Sequence, residues 1–283
     1  MSAIQLAPRR VRRSGDGAFT WVTWVCVGFL AIVVGMAVAG PWIAPYDALQ
    51  VDALDIHALP SVNHLLGTDD TGRDIFSRII VGARPSLVGP ALVVLTAALV
   101  GTLLAVTAAW RRGWADALIS RIFDLLFAFP GLILAIIAVT VFGRGLLSPV
   151  LALAVSYVPY IGRVVRVAAL RERSQPYVAA LQIQGFSPVW ICVRHVVPNL
   201  LPVVVVQTSL AFGYALLDLA AISYIGLGVQ PPDPEWGLMV ANGQSSILSG
   251  YPQQSIFAGL IIVATVVCVN LVGTRLAARV GGR

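Results

Sequence analysis

No lysine occurs anywhere in the 283-residue chain. A phosphate-cradling loop of the glycine–lysine–serine/threonine kind is therefore missing, and the chain is not expected to bind or hydrolyse ATP itself. Charge of either sign is scarce: 11% of the residues, against roughly 25% in a soluble domain. Histidine is limited to His57, His64 and His195 on separate loops, which excludes a paired-histidine zinc helix. No hydrophobic run carries a histidine, so an intramembrane serine protease is excluded as well. Cys26, Cys192 and Cys268 lack paired spacing and predict neither a disulfide framework nor a metal site. Enzyme readings are left with no residues to carry them.

Apolar residues fill the space, at 58% of the chain and a mean hydropathy of +0.86. This composition predicts an all-α integral membrane protein. A span needs about 20 apolar residues to cover the ~30 Å hydrocarbon core. Six runs qualify: 21–43, 86–110, 122–142, 146–169, 200–225 and 255–274. The first is too long for a signal-peptide core and ends in Pro41-Trp42, so it reads as an uncleaved span. Pro149 and Pro159 are expected to kink the fourth. The chain divides into a tail (1–20), a first span (21–43), an outer segment (44–84), a five-helix core (85–276) and a short tail (277–283).

The net charge of +6 is all arginine, and its placement beside apolar runs points to topology rather than nucleic acid. Fifteen arginines fall on segments assigned inside and four on those assigned outside. Under the positive-inside rule both termini are cytoplasmic. Most acids lie outside, and a calcium site there lacks the required spacing, so turn hydrogen bonding is the simpler reading. Within the outer segment, Asp70 or Thr71 is expected to cap a helix along the membrane surface. Its apolar stripe is Ile75, Phe76, Ile79 and Ile80, with Arg78 opposite.

The inner stretch 171–202 is longer than a connection needs. Ser174 is expected to cap a short helix with Pro176 in its first turn, and Gly185 to end it in a left-handed conformation. Ser187-Pro188 starts a second helix, 189–197, which Pro198 and Asn199 interrupt. Two short helices bent at a glycine make a knob shaped to enter a groove on a partner. Two acids sit within spans, where a charge costs about 2.5–3.5 kcal/mol. Asp218 either lines a path and meets a substrate ammonium group, or hydrogen-bonds a neighbouring helix or partner. Asp124, one turn after Arg121, reads as structural.

These residues carry a resemblance. Tyr177-Val178-Ala179-Ala180-Leu181-x-x-x-Gly185, with His195-Val196-Val197-Pro198-Asn199 downstream, resembles the coupling loop of ABC-importer permeases. Ala179 stands where that pattern has a leading glutamate, and Leu181 replaces its second alanine. Leu66-Gly67-Thr68-Asp69-Asp70-x-Gly72-Arg73-Asp74 is similar to the segment after the first span in dipeptide, oligopeptide and nickel permeases of the "C" type. Phe129-Pro130-Gly131-Leu132-Ile133-Leu134-Ala135 and Ser223-x-x-Gly226-Leu227-Gly228-Val229-Gln230-Pro231-Pro232 extend the likeness over about 20–276.

The resemblance implies a type I importer permease in a bacterial plasma membrane, for dipeptides or oligopeptides, with nickel or another small solute as the alternative. It implies a second permease, two ATP-binding subunits that hold ATP and Mg, an extracytoplasmic binding protein, and lipid around the spans. Tyr177, Ala179, Ala180, Leu181, Gly185, Phe186, Trp190, His195 and Pro198 would form the ATPase-coupling loop. The missing glutamate leaves two explanations: docking by apolar contacts from Tyr177, Leu181, Phe186 and Trp190, or an acid kept only by the partner permease. An ion-coupled secondary transporter would need broken helices or an inverted repeat, and no repeat is seen. A membrane-anchored structural or receptor subunit is the third reading.

Overall fold

A computed structural model describes residues 21–281. The arginine-rich tail 1–20 and Arg283, which count towards the expected topology, lie outside the described residues. The helices are α1 (Trp21–Ile43), α2 (Ile75–Arg111), α3 (Gly113–Phe127), α4 (Gly131–Phe142), α5 (Leu147–Arg173), α6 (Pro176–Ile183), α7 (Pro188–Ile191), α8 (Val197–Tyr224), α9 (Trp236–Leu248) and α10 (Gln253–Gly281). A π-helical turn, Cys192–Val196, joins α7 to α8. Five stretches are long and apolar enough to cross a membrane, or six if α3 and α4 form one span.

That third span is not one straight helix, as 122–142 suggested. α3 and α4 meet at 79° across Ala128–Pro130. Pro130 has no N–H to donate, and it disfavours helical geometry at Phe129. Pro149 lies in the first turn of α5, and Pro159 lies inside that helix.

Small residues set the tightest crossings, as expected where helices meet without a hydrophobic drive to separate them from lipid. A Cβ on Gly101 of α2 would stand 2.9 Å from the Val158 carbonyl oxygen of α5. One on Gly162 of α5 would stand 2.5 Å from Phe123 Cζ of α3. The main core fills this region with Val93, Ala97, Phe123, Leu153, Ile161 and Val165. A second cluster, nearer the expected outer side, joins Val33 of α1, Ile75 and Ile79 of α2, and Trp236 and Met239 of α9.

The outer segment departs from its expected form. Ile75, Phe76, Ile79 and Ile80 do not make a separate surface helix; they are the first turns of the 37-residue α2. The three isoleucines are buried against the protein, because α9 and α1 cover them. The cap is Asp74, not Asp70 or Thr71: its carboxylate accepts from Ser77 N at 2.8 Å and Ser77 Oγ at 2.7 Å. Arg78 is buried rather than opposite the stripe in solvent. It pairs with Asp69 at 3.6 Å and donates to the Ala48 carbonyl at 2.9 Å. Asp69 also accepts from the backbone N–H groups of Thr71 and Arg73, both at 2.9 Å, as turn chemistry predicted.

The helix α9 was not anticipated. Glu235 caps it by accepting from Gly237 N and Leu238 N, both at 2.9 Å. Trp236 is fully buried and donates from its indole N–H to the Ile79 carbonyl at 3.0 Å.

Candidate functional site

The inner knob is built from local rules, though not all those expected. Ser174 ends α5 rather than starting α6, and its hydroxyl donates to the Arg171 carbonyl at 2.7 Å. Gln175 is the residue that precedes α6, with Pro176 at its first position. Gly185 takes φ +83°, in the left-handed region. Around it Gly185 N donates to the Gln182 carbonyl at 3.0 Å and Phe186 N to the Leu181 carbonyl at 3.2 Å. That bond pair is a Schellman ending, and it satisfies two otherwise open carbonyls. Ser187 then caps α7 by accepting from Trp190 N at 3.3 Å.

Pro198 does not interrupt the second helix. The chain runs from α7 through the π turn into α8, with Pro198 in the first turn of α8. Val197 N donates to the Cys192 carbonyl, five residues back. An α-helical register would press the Pro198 ring against the Arg194 carbonyl, and the wider turn relieves that clash. The second helix of the knob and the fifth span are thus one connected helical path.

The knob has two faces. Tyr177 and Leu181 pack against the bundle core, together with buried Val178. The Tyr177 hydroxyl donates to Glu172 Oε1 at 2.6 Å, and Asn199 Nδ2 donates to the same oxygen at 2.6 Å. Burial, with help from the Glu172 hydrogen bond, pushes the Tyr177 hydroxyl pKa up to about 12. The opposite face is open: Ala179, Ala180, Ile183, Phe186, Val189 and Trp190 are exposed. Phe186 and Trp190 stack at 4.4 Å, and His195 tilts against Trp190 at 5.1 Å. The first turn of α6 contains no acid.

Above the knob, ion pairs fasten α5 to α3. Arg166 grips Asp116 with two 2.6 Å bonds, and Arg163 reaches Asp124 at 2.6 Å while lying over the Phe127 ring. The partner of Asp124 is thus Arg163, thirty-nine residues on, rather than Arg121. Asp218 lies in α8, half-buried, and accepts from the Tyr157 hydroxyl at 2.8 Å. It lines a cavity of about 420 Å³ at the break between α3 and α4.

Over residues 97–282 the sequence matches the family described as binding-protein-dependent transport system inner membrane component. The chain belongs to this family. It is a permease subunit of an ABC importer. Two relatives are glutathione transport system permease proteins GsiD, from Escherichia coli O6:K15:H31 (strain 536 / UPEC) and Shigella boydii serotype 4 (strain Sb227). Each is 38% identical over 246 residues, which is 87% of this chain and 81% of the relative. Among solved structures, an inward-facing form of the MetNI methionine ABC transporter superposes with a TM-score of 0.59 at 19% identity, covering 72% of this permease and 96% of that chain. A second crystal form of the same transporter gives 0.58 at 20% identity, covering 70% and 94%. These two likenesses establish the fold.

The permease has the broken span that an ion-coupled carrier would have needed, yet its family decides against that reading. The sequence alone missed Tyr157, Glu172, Asp116 and Arg166 as participants. Each acts through a partner on another helix or across a bend, and only the run of Tyr157 and Tyr160 three residues apart inside a span offered a signal.

Proposed function

We propose that this permease serves an importer of short peptides, and that its knob couples the spans to ATP-binding partners. In this reading a second permease completes the pathway, and two ATP-binding subunits hold ATP and Mg and perform the hydrolysis. A substrate-binding protein docks on the outer face, and both termini lie in the cytoplasm of a bacterial inner membrane. The relatives named for glutathione, itself a small peptide, support the substrate class. The observation that supports the coupling is the unbroken helical path from the exposed face of α7 through the π turn into α8, with α6 joined to it by the turn at Gly185. ATP binding shifts the pathway between inward- and outward-open states only if the partner grips the knob differently in each.

The open face of the knob favours docking through apolar contacts, with Phe186, Val189 and Trp190 offered to the partner. Tyr177 and Leu181 hold the knob to the bundle. Phe186→Asp would place an unpaired charge in the docking groove and should abolish co-purification of the ATP-binding subunit. Ala179→Glu, at the exposed start of α6, should leave it intact. Uptake of a labelled dipeptide and of glutathione, in cells with and without the permease, tests the substrate. If Phe186→Asp retains the ATPase while Ala179→Glu loses it, apolar docking is wrong. Solute uptake without peptide uptake would refute the peptide assignment.

A further inference from the structure

The geometry points to the cavity at the α3–α4 break as a binding site for a primary ammonium group, the amino end of a peptide on its way through the permease. This rests on the peptide reading above and adds to it a named site and a chemical preference.

Asp218 supplies the charge. It lies in a span, where a carboxylate is costly unless it faces a cavity or a partner. The ion pairs found among the described residues use other acids. Tyr157, a neutral donor, donates to one of the Asp218 oxygens and orients the carboxylate without neutralising it. The second carboxylate oxygen is left for a cation.

Aromatic rings supply the rest. Tyr157 and Tyr160 stand 5.9 Å apart, and Tyr160 meets Tyr214 edge-on at 6.2 Å. With Phe129 they line the same cavity as Asp218. Aromatic faces attract cations, and an organic ammonium loses less on leaving water than a bare metal ion does. A metal ion would need several oxygen ligands, and one carboxylate does not provide them. No metal-sized group of His, Cys, Asp and Glu occurs among the described residues. The volume, about 420 Å³, falls in the range of roughly 300–1,000 Å³ typical of small-molecule sites. The 79° break lies at this space, with Phe129, Pro130 and Gly131 in its lining.

Charge-selective labelling tests the site. Ser156, which lines the cavity, is replaced by cysteine in a permease lacking Cys26, Cys192 and Cys268, and the complete importer is placed in nanodiscs. A cationic methanethiosulfonate should react faster than an anionic one, by about tenfold or more, since a charged cleft concentrates counter-ions 10–10³-fold. Asp218→Asn should remove that preference, and Asp218→Glu should restore most of it. Dialanine should slow the cationic reagent, and N-acetyl-dialanine at the same concentration should not. Equal rates for both reagents would overturn the site, as would no labelling in either the nucleotide-free or the ATP-bound state. Release of the second permease by Asp218→Asn would also overturn it, by making the carboxylate an interface group. Charge preference without peptide uptake by the intact importer would instead refute the peptide reading and leave the cation site standing.

Discussion

Replacing Gly185 isolates the geometry of the knob from its contacts. The residue sits at φ +83°, and a Cβ added there would meet nothing within 4 Å. The cost of a side chain is therefore conformational and not a clash. Holding an L-residue in the left-handed region costs roughly 1–2 kcal/mol, and a β-branched residue fares worst. Escape to a right-handed conformation would give up the bonds to the Gln182 and Leu181 carbonyls, each worth about 1 kcal/mol. By either route the native knob loses about 1–2 kcal/mol, a factor of 5–30 in population. Asparagine tolerates this conformation better than alanine does. We expect uptake, and ATPase activity stimulated by loaded binding protein, to fall in the order Gly185, Gly185→Asn, Gly185→Ala, Gly185→Val. Membrane abundance should not change, because the spans are untouched. Full activity of Gly185→Val at normal abundance would refute the coupling role. Equal impairment of Gly185→Asn and Gly185→Val would show that a contact, and not φ, matters there.

Topology is checked with single cysteines in a cysteine-free permease: an impermeant reagent on intact cells should label Asp52→Cys and Leu248→Cys but not Gln182→Cys. Asp116→Ala should lower thermal stability by about 1 kcal/mol through loss of the two-bond grip of Arg166, and the charge-swapped double variant Asp116→Arg with Arg166→Asp should recover part of it in a melting assay. Burial raises the pKa of Glu235 above the ordinary glutamate value, although four hydrogen bonds oppose the shift. The folded state then binds this proton more tightly than the unfolded state does. Stability from this group is complete below the unfolded value of about 4.3 and is lost as pH rises through the higher folded value. Glu235→Gln should flatten that slope in melting curves recorded from pH 4 upwards.

Five of the spans were legible because each contains a long apolar run, and no tertiary fact is needed to see that; the bend in the third was not. The Gly185 ending was legible for a similar reason: the cap is local, and glycine is the residue that supplies it. What stayed hidden depends on residues far along the chain. The stripe beginning at Ile75 reads equally well as a membrane-surface face or as a core face, and only Trp236 and Val33 decide between them. Asp218 left two readings open because its tyrosine lies sixty-one residues away. α9 is short, with Gly237 and Gly243 inside it, and produces no run to notice. Pro198 misled for a different reason: proline was read as a stop, whereas a five-residue π turn accommodates it.

Because the π turn carries the chain into α8 without a break, that helix would serve as a stiff arm with the knob at its near end. Its 28 residues extend about 42 Å at 1.5 Å per residue. A tilt of only ~5° about the inner end would sweep the far end through about 4 Å, and Asp218 through nearly 3 Å, on that same arm. The bond to Tyr157 is 2.8 Å long, so a stroke this small is enough to break it. A push on the knob and the grip on a charged cargo would then be two ends of one mechanical linkage. Spin labels on α5 and α8, compared with and without ATP, would measure the stroke directly.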